Sequence, residues 1–214
     1  ISYIYNGLIP KRSENQNWYG IVPGNRSDLI WKDYYSYKEL PQSTNPESGY
    51  LQNCNSTPYL ATVGPGNPVK TLPDNTGIEE FQTNRAYRAN ELYGGDISIS
   101  KDEFYQYKYD TYYSKNSVMN YALNRFLSEV STTDSLLLKG VSVLENWDMG
   151  NQKENTGAAL ALLTFKLTYN IKDFTYDYES IMERFKESVY FLIDNYGKID
   201  IPLGDLQVIR RGDI

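Results

Sequence analysis

Short apolar and aromatic runs alternate with turn residues through the first sixty positions, and the period then lengthens to that of helices. Residues 1–60 read as strand and turn, punctuated by Pro23-Gly24 and Asn45-Pro46. Tyr3-Ile4-Tyr5 and the run Gly49 to Asn53 are the best strand candidates. Residues 61–76, with Gly64-Pro65-Gly66-Asn67-Pro68 and Pro73-Asp74-Asn75, read as a loop, either an ordinary surface connection or a substrate-facing excursion. Residues 77–197 read as mainly helical. Gly77 to Tyr93 opens with Glu79-Glu80, acids that favour a helix N-terminus, and stops at Gly94-Gly95. Ser100 followed by Glu103 is a capping box, with Phe104, Tyr107 and Tyr112 on one apolar face. Ser117 starts a helix with Ala122, Phe126 and Val130 on one stripe. Asp134 caps another that carries Leu137, Leu138, Val141 and Leu144. Asn155 opens an apolar helix through Ala158, Leu162 and Phe165, and a last helix runs from Tyr178 to Asn195 and stops at Gly197. Residues 198–214 return to turn and extended structure. This order describes an α+β chain of one large or two small domains.

Composition narrows the classes of function. The net charge is −6 with no block of lysine or arginine, which argues against nucleic-acid binding and against a polybasic membrane surface. No apolar run reaches the ~20 residues of a membrane span, and no charged and apolar leader pattern begins the chain. The mean hydropathy of −0.58 is low for a folded core. The 21 tyrosines explain much of it, because their rings bury readily although the scale scores them as polar. Histidine is absent, which removes His-based triads and His-ligated zinc from this segment. Cys54 is the single cysteine, so no intramolecular disulfide forms, and it reads as a small buried core residue.

The densest chemistry lies in Gly49-Tyr50-Leu51-Gln52-Asn53-Cys54-Asn55-Ser56-Thr57-Pro58. Asn53 and Asn55 are spaced i, i+2, which on a strand puts both amides on one face with Cys54 opposite. A neutral amide at a strand end can donate to an oxyanion without adding charge. The same spacing also suits a strand followed by an Asx turn. Arg85 has two similar readings from its position alone: a pair with Glu91 or a solvated helix face.

This block resembles the penicillin acylase family of N-terminal-nucleophile amidohydrolases, which includes acyl-homoserine lactone acylases. Other segments share the resemblance and fall in family order. Upstream of the block are Tyr3-Ile4-Tyr5-Asn6-Gly7, Ile9-Pro10-Lys11-Arg12, Val22-Pro23-Gly24, Trp31 and Glu39-Leu40-Pro41. Downstream are Asn84-Arg85-Ala86-Tyr87-Arg88-Ala89-Asn90-Glu91-Leu92, Asn146-Trp147-Asp148, Gly157-Ala158-Ala159-Leu160 and Ile201-Pro202-Leu203-Gly204-Asp205.

The resemblance implies a part of an αββα sandwich with large helical excursions, drawn from inside the large (beta) subunit. It implies that the nucleophile, an N-terminal Ser whose α-amine is the base, lies upstream of this chain. Ser2 is not that residue, because it sits inside the Tyr-Ile-Tyr block and Ile1 precedes it. Taken by itself the segment is expected to be inactive, with strand edges that favour self-association. The family's oxyanion-hole asparagine aligns with Asn55 and its site arginine with Arg85. Asn53 is a supporting partner, and Arg88 is a structural salt-bridge residue. Asp148 is an exposed-turn candidate and Trp147 an anchor for the preceding helix end. No cofactor is expected. The family often carries a structural calcium, but its ligands come largely from elsewhere and no metal ligand is carried over. The implied partners are an N-acyl amine, lactam or lactone substrate and the remaining acylase subunits. Periplasmic or extracellular location follows from the resemblance alone.

A different class stays open: a non-catalytic, aromatic-rich binding or scaffold module derived from an inactive acylase. Such a module would set tyrosines at alternating strand positions. Here they cluster around 105–113 and 169–178, in expected helices, which favours core and interface roles.

Overall fold

The computed structural model describes residues 1–166, 175–209 and 211–212. The chain divides into two compact units, Ile1–Ser98 and Ile99–Ile214.

In the first unit, β1 (Ser2–Ile4) pairs antiparallel with β2 (Gln42–Thr44), with Tyr3 opposite Ser43. Backbone bonds beyond the strands include those from Tyr5 N–H to the Pro41 carbonyl at 3.0 Å, from Lys11 N–H to the Asp33 carbonyl at 2.8 Å and from Tyr35 N–H to the Ile9 carbonyl at 2.9 Å. The core is small: Leu40, Leu72 and Ile78, with Tyr5, Ile9, Tyr35 and Tyr59 packed against them. The Tyr5 hydroxyl donates to Glu79 at 2.9 Å, and burial with this carboxylate raises its pKa to about 12. Arg12 lies 5.6 Å from the Trp18 ring and 5.5 Å from the Trp31 ring, and it donates to the Asn75 carbonyl at 3.0 Å.

Two expectations change here. Gly49 to Asn53 is not a strand. Gly49 takes φ +76, outside the strand region, and the run keeps one ladder-like backbone bond, from Gln52 N–H to the Ala61 carbonyl. The helix expected from Gly77 begins seven residues later as α1 (Asn84–Gly94). Gly77 instead takes φ +80 at the end of a 3-10 turn over Asp74–Thr76. Glu79 is held by Tyr5 and Glu80 by Lys70, so neither acid serves a helix N-terminus.

The second unit is a helical bundle. Its elements are α2 (Lys101–Lys108), α3 (Val118–Glu129), α4 (Ser135–Glu145), α5 (Ala158–Phe165), α6 (Tyr178–Tyr196) and the short α7 (Leu203–Leu206). The capping signals act at the expected starts. Ser100 and Glu103 form the reciprocal box on α2. Ser117 accepts from Asn120 N–H, and Asp134 accepts from both Leu136 and Leu137 N–H. Asn155 Oδ1 accepts from Gly157 and Ala158 N–H at 3.0 Å each, which satisfies the first donors of α5. Gly197 ends α6 in the left-handed region.

Around fully buried Phe126, the rings of Phe165, Tyr178 and Phe185 lie at centroid distances of 6.0, 6.2 and 5.1 Å. Ala158 to Ala161 are buried on every side, which fits a central helix. Trp147 closes the end of α4. Its indole N–H donates to the Gly150 carbonyl at 2.8 Å, and its ring meets Tyr113 edge-on. Asp148 is exposed in the following turn and accepts from Gly150 N–H and from the Asn155 amide.

Some faces differ from expectation. α2 ends at Lys108, so Tyr112 is off the helix, and Phe104 is exposed. Leu138 is also exposed on α4. α7 interrupts the expected extended tail, with Leu203 buried. Of the tyrosine cluster expected in a helix over 169–178, Tyr169 lies outside the described residues, Tyr176 precedes α6 and Tyr178 is its first residue. Together the two units make a mixed α+β chain whose described sheet is a single antiparallel pair.

Candidate functional site

Asn55 stands in a turn rather than at a strand end. Its φ is +53, the left-handed region that asparagine tolerates better than other side chains with a Cβ. Its N–H donates to Asn53 Oδ1 at 3.3 Å, an Asx turn. Both asparagines are exposed. Cys54 between them is half-buried rather than a core residue. Burial pushes its thiol pKa up while the nearby Arg85 charge pulls the other way, so the thiol stays protonated near neutrality.

The first turn of α1 meets this turn. Arg85 Nη2 donates to Asn55 Oδ1 at 2.8 Å and to the Cys54 carbonyl at 3.2 Å. Thr83, the N-cap of α1, donates its hydroxyl to the same Cys54 carbonyl at 3.0 Å and accepts from Ala86 N–H at 3.2 Å. Thr57 N–H donates to the Phe81 carbonyl at 2.9 Å. Residues 54–57 are thus laced to 81–86 by side-chain and backbone bonds from both segments.

This geometry fixes the sense of the Asn55 amide. Arginine carries donors and no acceptor, so the atom facing it must be the carbonyl oxygen. Asn55 Nδ2 is then turned away from Arg85 and makes no hydrogen bond among the described residues. The turn therefore presents a neutral N–H donor beside a guanidinium on an exposed surface. Such a pair suits a group on which negative charge develops.

The sequence-level candidates Asn53, Asn55 and Arg85 are thus brought together. Glu91 pairs with Arg88 at 2.8 Å, at the i, i+3 spacing, and not with Arg85. Sequence reasoning missed Thr83, although a threonine directly before Asn-Arg-Ala is an N-cap signal.

A shallow concavity of about 590 Å³ lies elsewhere, along Lys115, Ser117, Asn120, Asn124 and Arg125 at the start of α3. The Asn55 turn is the better-built site, because its polar groups converge on one peptide whereas the α3 surface is open and self-paired. Among the described residues no group of three or more Cys, Asp or Glu side chains is placed to hold a metal. No described helix is long and apolar enough to cross a membrane. The family model for penicillin amidase matches residues 1–191. That match spans both the Asn55 turn and α1, and the chain belongs to the penicillin amidase family of amide-bond hydrolases.

Proposed function

We propose that this chain is an internal part of the large subunit of an N-terminal-nucleophile amidohydrolase and supplies its oxyanion-hole donor. The nucleophile is a serine upstream of this chain whose own α-amine takes the hydroxyl proton. Attack on an N-acyl amide carbonyl places negative charge on the carbonyl oxygen, and Asn55 Nδ2 donates to it. Collapse expels the protonated amine, and water then hydrolyses the acyl-enzyme. Arg85 orients Asn55 and adds positive potential at the site, and Asn53 holds the turn.

The observation that supports this reading is the 2.8 Å bond from Arg85 Nη2 to Asn55 Oδ1, which leaves the amide N–H₂ outward. The substrate class is an acyl chain joined to an amine, lactam or lactone amine. Acyl-homoserine lactones and penicillins both fall within it. We assign the protein to the periplasm or outside the cell, with the other acylase segments as its partners. The segment alone is assigned no activity.

The test is a paired assay on the complete protein. Self-processing is read by intact mass, and hydrolysis by amine release from a panel of N-acyl substrates. Wild type should process and hydrolyse. Asn55→Ala should process yet lose about 10²–10³-fold in turnover, the range for one lost oxyanion donor. A wild-type protein that neither cleaves itself nor hydrolyses any substrate would replace this reading with the non-catalytic binding module.

A further inference from the structure

We propose that Thr83 is a positioning residue for the oxyanion donor. This rests on the reading of Asn55 above and extends it to a residue that acts through the Cys54 carbonyl. One peptide unit, Cys54–Asn55, is held at both its N–H and its carbonyl. Its N–H is tied to Asn53 Oδ1 at 3.3 Å. Its carbonyl accepts from Thr83 Oγ1 at 3.0 Å and from Arg85 Nη2 at 3.2 Å. The plane of that peptide sets φ of Asn55, and φ in turn sets where the Asn55 amide points.

The two groups on the carbonyl are not equal as restraints. Arg85 is a long, exposed side chain. Thr83 is half-buried and β-branched, with few χ1 states open to it. Its oxygen does two jobs at once. It accepts from Ala86 N–H at 3.2 Å, which caps α1, and it donates to the Cys54 carbonyl. One hydroxyl therefore fixes the distance between the first turn of α1, where Arg85 sits, and the turn that carries Asn55. Without it, Arg85 alone holds the carbonyl, and the guanidinium–amide pair can shift as a unit. A small displacement of an oxyanion donor weakens transition-state contacts more than substrate binding.

The test compares Thr83→Val, Thr83→Ser and Thr83→Asp in the complete, self-processed enzyme. Kinetics are measured beside thermal stability. Thr83→Val should lower kcat about 10-fold with KM within about twofold, and Thr83→Ser should restore kcat to within about twofold. Thr83→Asp still caps α1 but has no proton for the Cys54 carbonyl. It should keep wild-type melting while losing kcat, and it covers the case in which the valine variant fails to fold.

In an Arg85→Gln background the further loss from Thr83→Val should shrink below about twofold, because both changes act on the same peptide. Wild-type kcat in the aspartate variant, or a valine loss that is undiminished without Arg85, would overturn the positioning role. A wild-type rate in Asn55→Ala would overturn the reading beneath it. Those outcomes separate the two claims.

Discussion

Asn55 satisfies two demands with one side chain. Its backbone sits at φ +53, and its amide is oriented by Arg85. The first demand explains why an aliphatic replacement strains the turn, and the second why the donor faces outward. Arg85→Lys should expose the second demand alone. Lysine is a point charge without the guanidinium fork, so it cannot reproduce both the 2.8 Å and the 3.2 Å bonds from one planar group. The expected result is a kcat about 10-fold lower with KM within about twofold, read in steady-state assays of processed enzyme. A KM rise at constant kcat would instead assign Arg85 to ground-state substrate binding.

At this scale much was legible in the sequence. The Asn-x-Asn pair and Arg85 stand out through resemblance, yet they meet in space through a turn where period-2 spacing predicts a strand end. The signal for the turn lies in the same pair, because asparagines at i, i+2 also suit the Asx turn that Asn53 Oδ1 and Asn55 N–H form.

Helices in this chain are read best where a side chain commits to a cap. Ser100, Ser117 and Asp134 each mark a true start, because an N-cap side chain answers a local need of the backbone. Acidic residues are weaker markers. Glu79 and Glu80 suit a helix start, but tertiary partners Tyr5 and Lys70 claim them instead. The expected stripe of α3 is buried at Ala122 and Phe126, while Leu138 and Phe104 are exposed.

Packing between elements depends on features that a hydrophobic pattern does not carry. Gly140 of α4 is one. A Cβ there would stand 2.8 Å from Val189 Cγ2 and 2.9 Å from Phe185 Cζ on α6. Gly140→Ala is helix-favouring by propensity but overpacks this crossing. It should destabilise the unit by about 1–3 kcal/mol, measured by denaturant titration. A neutral or stabilising result would mean that α4 and α6 approach less closely than these distances.

Across the whole molecule the two units differ in how much core each encloses. Among the described residues the second buries a cluster of nineteen, the first a cluster of three. Hydrophobic burial is the main favourable term in folding. Residues 99–214 expressed alone should therefore melt cooperatively, whereas residues 1–98 alone should not. Calorimetry of the two pieces checks this, and a cooperative transition in the first piece would contradict it. That difference also accounts for what sequence could convey. The helical unit rests on local periodicity and caps. The first unit rests on contacts between distant segments, such as Arg12 with Asn75 and Tyr5 with Glu79, which no local pattern announces.

The candidate site belongs to that lightly cored first unit, and its preorganisation depends on the Asn55 peptide being clamped from three sides. The most direct measurement is kcat of Asn55→Gly in the complete enzyme after self-processing has been verified by intact mass. Glycine accepts the positive φ, so the backbone of the turn is kept and only the amide is removed. A fall of about 10²-fold or more, with processing intact, is the predicted result. A kcat within a few-fold of wild type would contradict the assignment of Asn55 as the oxyanion donor.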